Sequence, residues 1–372
     1  MLYIHVPFCH KACSYCDFYF VTSLKYKAEY VQAMQNEIIL RKNEIPQQLP
    51  TVYFGGGTPS KLTLPEIEKI LSTVHSLFKV SSDTEITLEA NPEDLNYDYI
   101  KGLISVGVNR LSIGIQSFDD AELQFMNRSH DAQKAEYSVK LSQDTGIENI
   151  SIDLIYGSPL LTHSKWEQHI RKTISLSVPH ISAYNLTIEP NTPLFQKIKK
   201  GMITGVDEEK SADYFKMLME NLVGAGFEHY EISNFALPNK YSKHNTGYWK
   251  HLPYLGVGPA AHSFDTHTRS WNTRNLNTYL TRLLKHELCI EESEQLSLEQ
   301  QANEYLMLGL RTQWGANLNV IKDKTGIDFF LIKSMEIEQF EERNLLISQK
   351  NNLSLTYQGK LLADYITEKL IV

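Results

Sequence analysis

Short apolar runs recur through the first half of this chain, and each is followed by a stretch with helical spacing. The runs occupy residues 2–8, 51–54, 85–90, 110–116, 150–157 and 180–186. Between them, residues 27–45 carry Tyr30, Val31, Met34, Ile38 and Ile39 at helical intervals, which reads as one buried face. Leu64-Pro65-Glu66 opens a second helix with proline in its first turn. Segments 97–106, 121–126, 132–145 and 166–176 continue the helical series. Strand then helix, repeated, points to an α/β class with parallel strands joined by right-handed crossovers. No Gly-x-Gly-x-x-Gly turn accompanies these units, so the expectation is a partial or complete (β/α) barrel, in which chemistry gathers at the carboxyl ends of the strands.

Polar and glycine residues do collect at those ends. Cys9, Cys13 and Cys16 follow the first run, Gly55 to Pro59 the second, and Glu89, Gln116, Asp153 and Glu189 mark the third to sixth. Three cysteines spaced C-x3-C-x2-C sit in one tight loop and can face one centre. A tetrahedral zinc would need a fourth ligand, which His5 or His10 could supply. A [4Fe-4S] cluster takes four thiolates, so three would leave one iron open; a metal is expected on this loop, and a reduced, buried thiol set without metal is the least favoured alternative. Cys289 stands apart in a helical stretch and reads as a buried apolar filler. Glu89 and Asp153 lie on strands expected to be buried, where a carboxylate must find a donor or a cation. Ribose hydroxyls, a ligand ammonium or Arg128 would serve.

The chain has 372 residues, 42% hydrophobic and 22% charged, with net charge −8 and a pI near 5.9. That acidic balance argues against coating nucleic acid. No apolar run reaches the ~20 residues of a spanning helix, and no signal segment precedes cysteines that begin at residue 9. A cytoplasmic protein is expected, its acidity compatible with peripheral membrane contact through a partner. Residues 276–287 read as a helix leading out of the core. From about residue 297 the texture changes: helices over 299–311, 320–324 and 329–343, a hairpin from 345–348 and 353–356, then a helix over 360–369. This gives a first unit over 1–290, with an extension from about 195, and a winged-helix-like unit over 291–372. The tail has no dense basic stripe, so a packing or partner surface is expected rather than DNA binding.

The cysteine triad after a first strand resembles the signature of the radical S-adenosylmethionine (SAM) proteins, whose open iron is chelated by SAM, and Gly-Gly-x-Thr-Pro at 55–59 resembles the segment that meets the methionine amino group. Further blocks resemble the oxygen-independent coproporphyrinogen III dehydrogenase superfamily: Leu88-Glu89-Ala90-Asn91-Pro92, residues 109–118, Asn127-Arg128-Ser129-His130 and residues 152–157. The resemblance implies that Tyr3, Gly56 and Glu89 contact SAM on the cluster, and that Tyr15, Gly57, Thr58, Gln116, Arg128 and Asp153 line the SAM region. It also implies an electron donor of the flavodoxin or ferredoxin kind.

One departure is Phe18, where the dehydrogenase carries a further cysteine two residues after the third; the chain also begins only two residues before Tyr3 and lacks the dehydrogenase's longer arm. Both point to the HemW-type haem chaperones. In agreement, His244-Asn245-Thr246-Gly247-Tyr248-Trp249 resembles the His-Asn-x-x-Tyr-Trp block associated with haem in that family, where an imidazole would ligate iron and the aromatics would face the macrocycle. The resemblance thus implies a [4Fe-4S] cluster on Cys9, Cys13 and Cys16, SAM, haem bound through His244, Asn245, Tyr248 and Trp249, and a haem acceptor protein as partner. The alternative it leaves is a dehydrogenase acting through a 5′-deoxyadenosyl radical. Residues 253–263, rich in glycine and proline, are expected to form an ordered loop over the barrel mouth, with His262 a second, weaker haem candidate that reads first as a satisfied structural histidine.

Overall fold

A computed structural model describes residues 1–372. Its first half alternates as the sequence predicts: β1 (Leu2–Val6), α1 (Lys27–Arg41), β2 (Thr51–Gly56), α2 (Leu64–Leu77), β3 (Glu85–Ala90), α3 (Tyr97–Ser105), β4 (Arg110–Gln116), α4 (Asp120–Phe125), α5 (Ala132–Thr145), β5 (Ile150–Tyr156), α6 (His163–Ser175) and β6 (His180–Asn185). Strands β1 to β6 lie side by side in sequence order, each parallel to the next. Their apolar side chains, among them Leu2, Ile4, Val52, Phe54, Leu88, Ile113 and Ile152, are fully buried in one core with the helices. Each such side chain contributes about 1.5–3 kcal/mol. Helix α1 stops at Arg41, short of the expected 45, and Pro46 would have disfavoured helical backbone at Ile45 in any case.

The chain then runs through α7 (Pro193–Lys199), α8 (Glu208–Gly224), β7 (Glu228–Glu231), β8 (Asn234–Ala236), α9 (Lys243–Trp249), β9 (Leu255–Val257), β10 (His262–Phe264), β11 (Thr268–Asn272), α10 (Leu276–Leu283) and β12 (Ile290–Gln295). Strand β8 adds antiparallel to β6 and β7 to β8, while β9 adds parallel to β1. The nine-stranded sheet therefore ends at β7 and β9 without closing, and the barrel is partial.

Two expectations change here. Residues 253–263 do not all form a loop over the mouth: Leu255, Gly256 and Val257 pair with Leu2, Tyr3 and Ile4. Gly256 permits this, since a Cβ there would lie 1.9 Å from the His262 carbonyl oxygen. Cys289 is buried as expected, but beyond the end of α10 rather than within a helix.

The last part comprises α11 (Leu298–Leu310), β13 (Ala316–Asn317), α12 (Leu318–Thr325), α13 (Phe329–Ile332), α14 (Ser334–Glu342), β14 (Leu346–Gln349), β15 (Asn352–Leu355), α15 (Tyr357–Lys360) and α16 (Ala363–Leu370). The helix expected over 329–343 is interrupted at Lys333, and the last helix is likewise two pieces. These elements share their own apolar cluster, from Ala302 to Leu370. Glu304 of α11 accepts two bonds from Arg269 of β11 (2.8 and 3.0 Å) and lies 3.1 Å from the His251 ring, so this part packs against the segment that follows α9. No helix is long and apolar enough to cross a membrane.

Candidate cofactor site

The cysteine loop leaves β1 and is fastened at its base and at its crown. Cys9 N–H donates to Val21 O (2.9 Å) and Val21 N–H to Pro7 O (2.7 Å). Ser14 donates from both its amide and hydroxyl to the end of α4, at Met126 O (3.1 Å) and Phe125 O (3.0 Å). Asn127 Nδ2 reaches Ala12 O at 2.6 Å. The three thiols are free and half-buried. Burial pushes Cys16 up to about 11, and Cys13 and Cys9 close by push the same way; burial also raises Cys9. Thiolates set this close repel one another unless a cation stands beside them.

One cation is already present. Arg128 donates from Nη1 to Cys13 Sγ (3.3 Å) and from Nη2 to Asn91 Oδ1 (2.7 Å) and Gly114 O (2.8 Å). The Thr58 hydroxyl lies 3.5 Å from Cys9 Sγ. Gly57 crowds the same sulfur, for a Cβ there would come within 3.0 Å of it. No three His, Cys, Asp or Glu side chains are close-set enough to share a single metal ion. A cluster asks something different, since each thiolate meets its own iron. Three half-exposed sulfurs on a pinned loop, with a guanidinium beside them and a glycine opposite, fit such a group.

Next to the loop, the inner face of the sheet carries polar side chains. Tyr53 donates to Glu89 Oε1 (2.8 Å) and Gly56 N–H to Glu89 Oε2 (3.1 Å). Tyr3 stacks on Tyr53 with centroids 6.2 Å apart, and its hydroxyl lies 3.1 Å from His5 Nδ1. Asp153 accepts from Ser112 Oγ (3.3 Å). Burial pushes Glu89 up to about 7 and Asp153 up to about 6, and the Asp153 charge raises Glu89 further. Gln116 ends β4 at φ 62°, where the register between β4 and β5 shifts. Burial raises the Tyr15 hydroxyl well above its ordinary value, with Arg128 opposing and Cys13 and Cys16 adding to the rise. Arg128, offered by the sequence as a partner for the two carboxylates, instead spends its hydrogen bonds on Cys13, Asn91 and Gly114.

The block from His244 lies elsewhere. Ser242 caps α9 by accepting from Asn245 N–H (3.3 Å), and the amides of Lys243 and His244 donate to Glu85 at the amino-terminal end of β3 (3.1 Å each). His244 is 1% exposed, with Nδ1 2.7 Å from Thr51 Oγ1 and Nε2 2.9 Å from the Tyr248 hydroxyl. It stacks on Tyr53 at 4.9 Å, and burial lowers it to about 3, so the ring is neutral. Thr51 and Glu85 begin their strands, which sets His244 at the opposite strand ends from the cysteine loop. Trp249 turns toward the C-terminal part, with the Arg311 guanidinium 5.7 Å from its ring centre.

A cavity of about 360 Å³ joins the two regions. Tyr3 and His5 of β1 line it with Tyr248 of α9, Tyr254 and His262, and Asp17, Phe18 and Tyr19 of the cysteine loop close it, with Arg274 also on its wall. A second cavity of about 530 Å³ shares Tyr19 and Arg274 with it. Tyr53 was readable as part of the site, since alternation puts it on the face of Gly55. Asn91 and Tyr254 fall in segments that stand out in the sequence, but nothing in the sequence marks Arg274 for its place.

The Radical SAM superfamily profile matches residues 3–173. The Bacillus subtilis heme chaperone HemW is 34% identical over 98% of this chain and 97% of that protein. The chain belongs to the HemW family of radical SAM proteins. The HemW of Lactococcus lactis is 33% identical over 100% of this chain and 97% of its own length. The HemN C-terminal domain profile matches residues 296–362. In fold the chain is similar to coproporphyrinogen III oxidase (HemN) of Escherichia coli, with a TM-score of 0.85 and 20% identity, covering 100% of this chain and 89% of that one.

Proposed function

We propose that this HemW-family chain is a cytoplasmic haem chaperone that binds haem and passes it to an acceptor protein, with a SAM-ligated [4Fe-4S] cluster on Cys9, Cys13 and Cys16. The observation that carries the reading is the cavity shared by the two motifs, with Asp17 to Tyr19 on one wall and Tyr248 on another. Its aromatic lining suits a flat apolar ring. Phe18, 68% exposed, adds apolar surface at this edge of the cysteine loop.

When bound, a reduced cluster supplies one electron to a ligand on its open iron. The chain's residues would act around it as follows. Gly56 and Glu89 hold the amino group of SAM, Asp153 takes its hydroxyls, and Arg128 offsets the thiolate charge. Residues 1–290 form the cofactor-binding unit and 291–372 the unit packed against it.

The test is anaerobic reconstitution with iron and sulfide, then haemin titration, then mixing with apomyoglobin as a haem trap. Stoichiometric haemin uptake and release to the trap are expected, with release responding to cluster reduction and SAM. Absence of uptake refutes the chaperone reading. Formation of protoporphyrinogen from coproporphyrinogen under the same reducing conditions would replace it with the dehydrogenase.

A further inference from the structure

His244 is the histidine that the family resemblance nominates for iron, yet both its nitrogens face hydroxyl partners inside the protein, Thr51 at 2.7 Å and Tyr248 at 2.9 Å. Ligation would require breaking one bond and opening a packed ring stack. Leaving a buried hydroxyl unpaired costs about 1–3 kcal/mol before any coordination is gained. The cavity that Tyr248 lines contains two further histidines. His5 is also buried and held, by the Tyr3 hydroxyl at 3.1 Å and the Tyr19 carbonyl at 3.2 Å. His262 differs from both. It is exposed at the start of β10 and lines the cavity. Its ring stacks on the Trp271 indole, centroids 5.5 Å apart at 28°, and no hydrogen bond engages it.

We propose that His262 is the protein ligand to haem iron in this chain, and that Arg274 at the same cavity pairs with a haem propionate. The inference rests on the haem-binding reading and specifies its contacts. Imidazole is an ordinary axial ligand of haem iron. Its unprotonated nitrogen donates a lone pair to the metal, with no bond inside the protein to break first. Partial burial lowers the pKa of His262, and Arg269 and Arg274 act in the same direction against Glu294, so the ring is kept neutral and available. The Trp271 stack fixes its plane. Arg274 is exposed, lines both neighbouring cavities and makes no ion pair, leaving its planar fork free for a carboxylate. Tyr248 and Tyr254 lie on the same cavity and offer ring faces to the macrocycle. In this arrangement the His244 block shapes the cavity through Tyr248, while His244 itself holds Tyr248 in place.

The experiment uses the full chain, reconstituted with its cluster, and titrates ferric haemin into the native protein and into His262→Ala, His244→Ala and Arg274→Gln. His262 and Arg274 are exposed, so their variants are expected to melt like the native protein. The inference expects His262→Ala to bind haemin about tenfold or more weakly, a factor equivalent to about 1.4 kcal/mol. It also expects loss of the imidazole-ligated absorption and electron paramagnetic resonance signature, and its return on adding free imidazole. Arg274→Gln should weaken haemin but leave the affinity for haemin dimethyl ester, which lacks free carboxylates, at the native value. Native uptake with an unchanged affinity and signature in His262→Ala overturns the assignment while the haem reading stands. An equal loss of haemin and of its ester in Arg274→Gln overturns the propionate contact. A native chain that takes up no haemin removes the chaperone reading and this inference together.

Discussion

Arg128 places a guanidinium nitrogen 3.3 Å from the sulfur of Cys13 while its other nitrogen is tied to Asn91 and to the Gly114 carbonyl. The charge is thereby held beside the cysteine loop by the turn after β3 and by β4, neither of which belongs to the loop. A fixed positive charge favours the more negative, reduced state of a neighbouring cluster. Arg128→Ala is therefore expected to lower the cluster's midpoint potential, and Arg128→Lys to shift it less. It should also destabilise the chain by about 1–3 kcal/mol through the unpaired carbonyl. A redox titration followed by electron paramagnetic resonance decides this: equal potentials in native and alanine proteins would show that the guanidinium is only a structural tie.

Glu89 offers a pH test. Its carboxyl is pushed up to about 7 by burial, from an ordinary value of 4.5. Between those values the unfolded chain is ionised there and the folded chain is protonated, so stability falls as pH rises through this window, by at most about 3 kcal/mol. Glu89→Gln should reduce that slope in urea unfolding of the ligand-free protein from pH 5 to 8, leaving the part that belongs to Asp153, whose carboxyl burial raises to about 6. Binding of SAM through its ammonium needs the ionised carboxylate, so SAM affinity of the reconstituted native protein should climb over the same range and stay level in the variant. A native SAM affinity without pH dependence would remove Glu89 from that role.

His244 yields a stability prediction independent of haem. Burial lowers it to about 3, so its contribution is intact above its ordinary value of 6.5 and is lost as pH falls toward 3. His244→Ala removes a packed ring and leaves the Thr51 and Tyr248 hydroxyls without their partner. The expected cost is about 2–4 kcal/mol, visible as a lower melting temperature with no haem present. A variant that melts like the native chain would contradict the caged geometry. Haem titrations of His244→Ala need this measurement beside them, because a loosened Tyr248 would weaken haem without any iron bond having been lost.

The parts of the fold written in local pattern were legible: the strand and helix units, the cysteine loop, and the separate texture of the tail. What stayed hidden depends on partners far away in sequence. Strand β9 has three residues, with Gly256 in the middle and Gly258 just after, and becomes a strand only because β1 offers a free edge. Helix α8 carried signals that could have been read, an Asp207 cap and buried positions at Ser211, Tyr214, Phe215, Leu218 and Leu222. The neutral, enclosed state of His244 could not be read, since Thr51 lies 193 residues away. For the same reason the sequence ranks His262 behind His244 as a haem candidate, although in the fold His262 is the one of the two that lines the cavity.

Glu37 is the last point of leverage, because it binds the segment that presents His262. Its carboxylate accepts from Arg41 (3.1 Å), the Gly258 amide (2.8 Å), Asn272 (2.6 Å) and the Tyr279 hydroxyl (2.7 Å), and it is 1% exposed. Arg41 in turn reaches the Gly256 carbonyl and the Ser263 hydroxyl. One buried ion pair thus ties α1 to both ends of the turn between β9 and β10. Glu37→Gln removes the negative charge, but Arg41 keeps Glu44 as a second carboxylate (2.9 and 2.7 Å), so the cost is that of hydrogen bonds weakened around the new amide, about 1–3 kcal/mol. A lower urea midpoint is expected together with weaker haemin binding, while SAM binding at the far side of β1 changes less. Loss of stability with unaltered haemin affinity would separate this anchor from the placement of His262, and would mean that β10 keeps its position by its pairing with β11 alone.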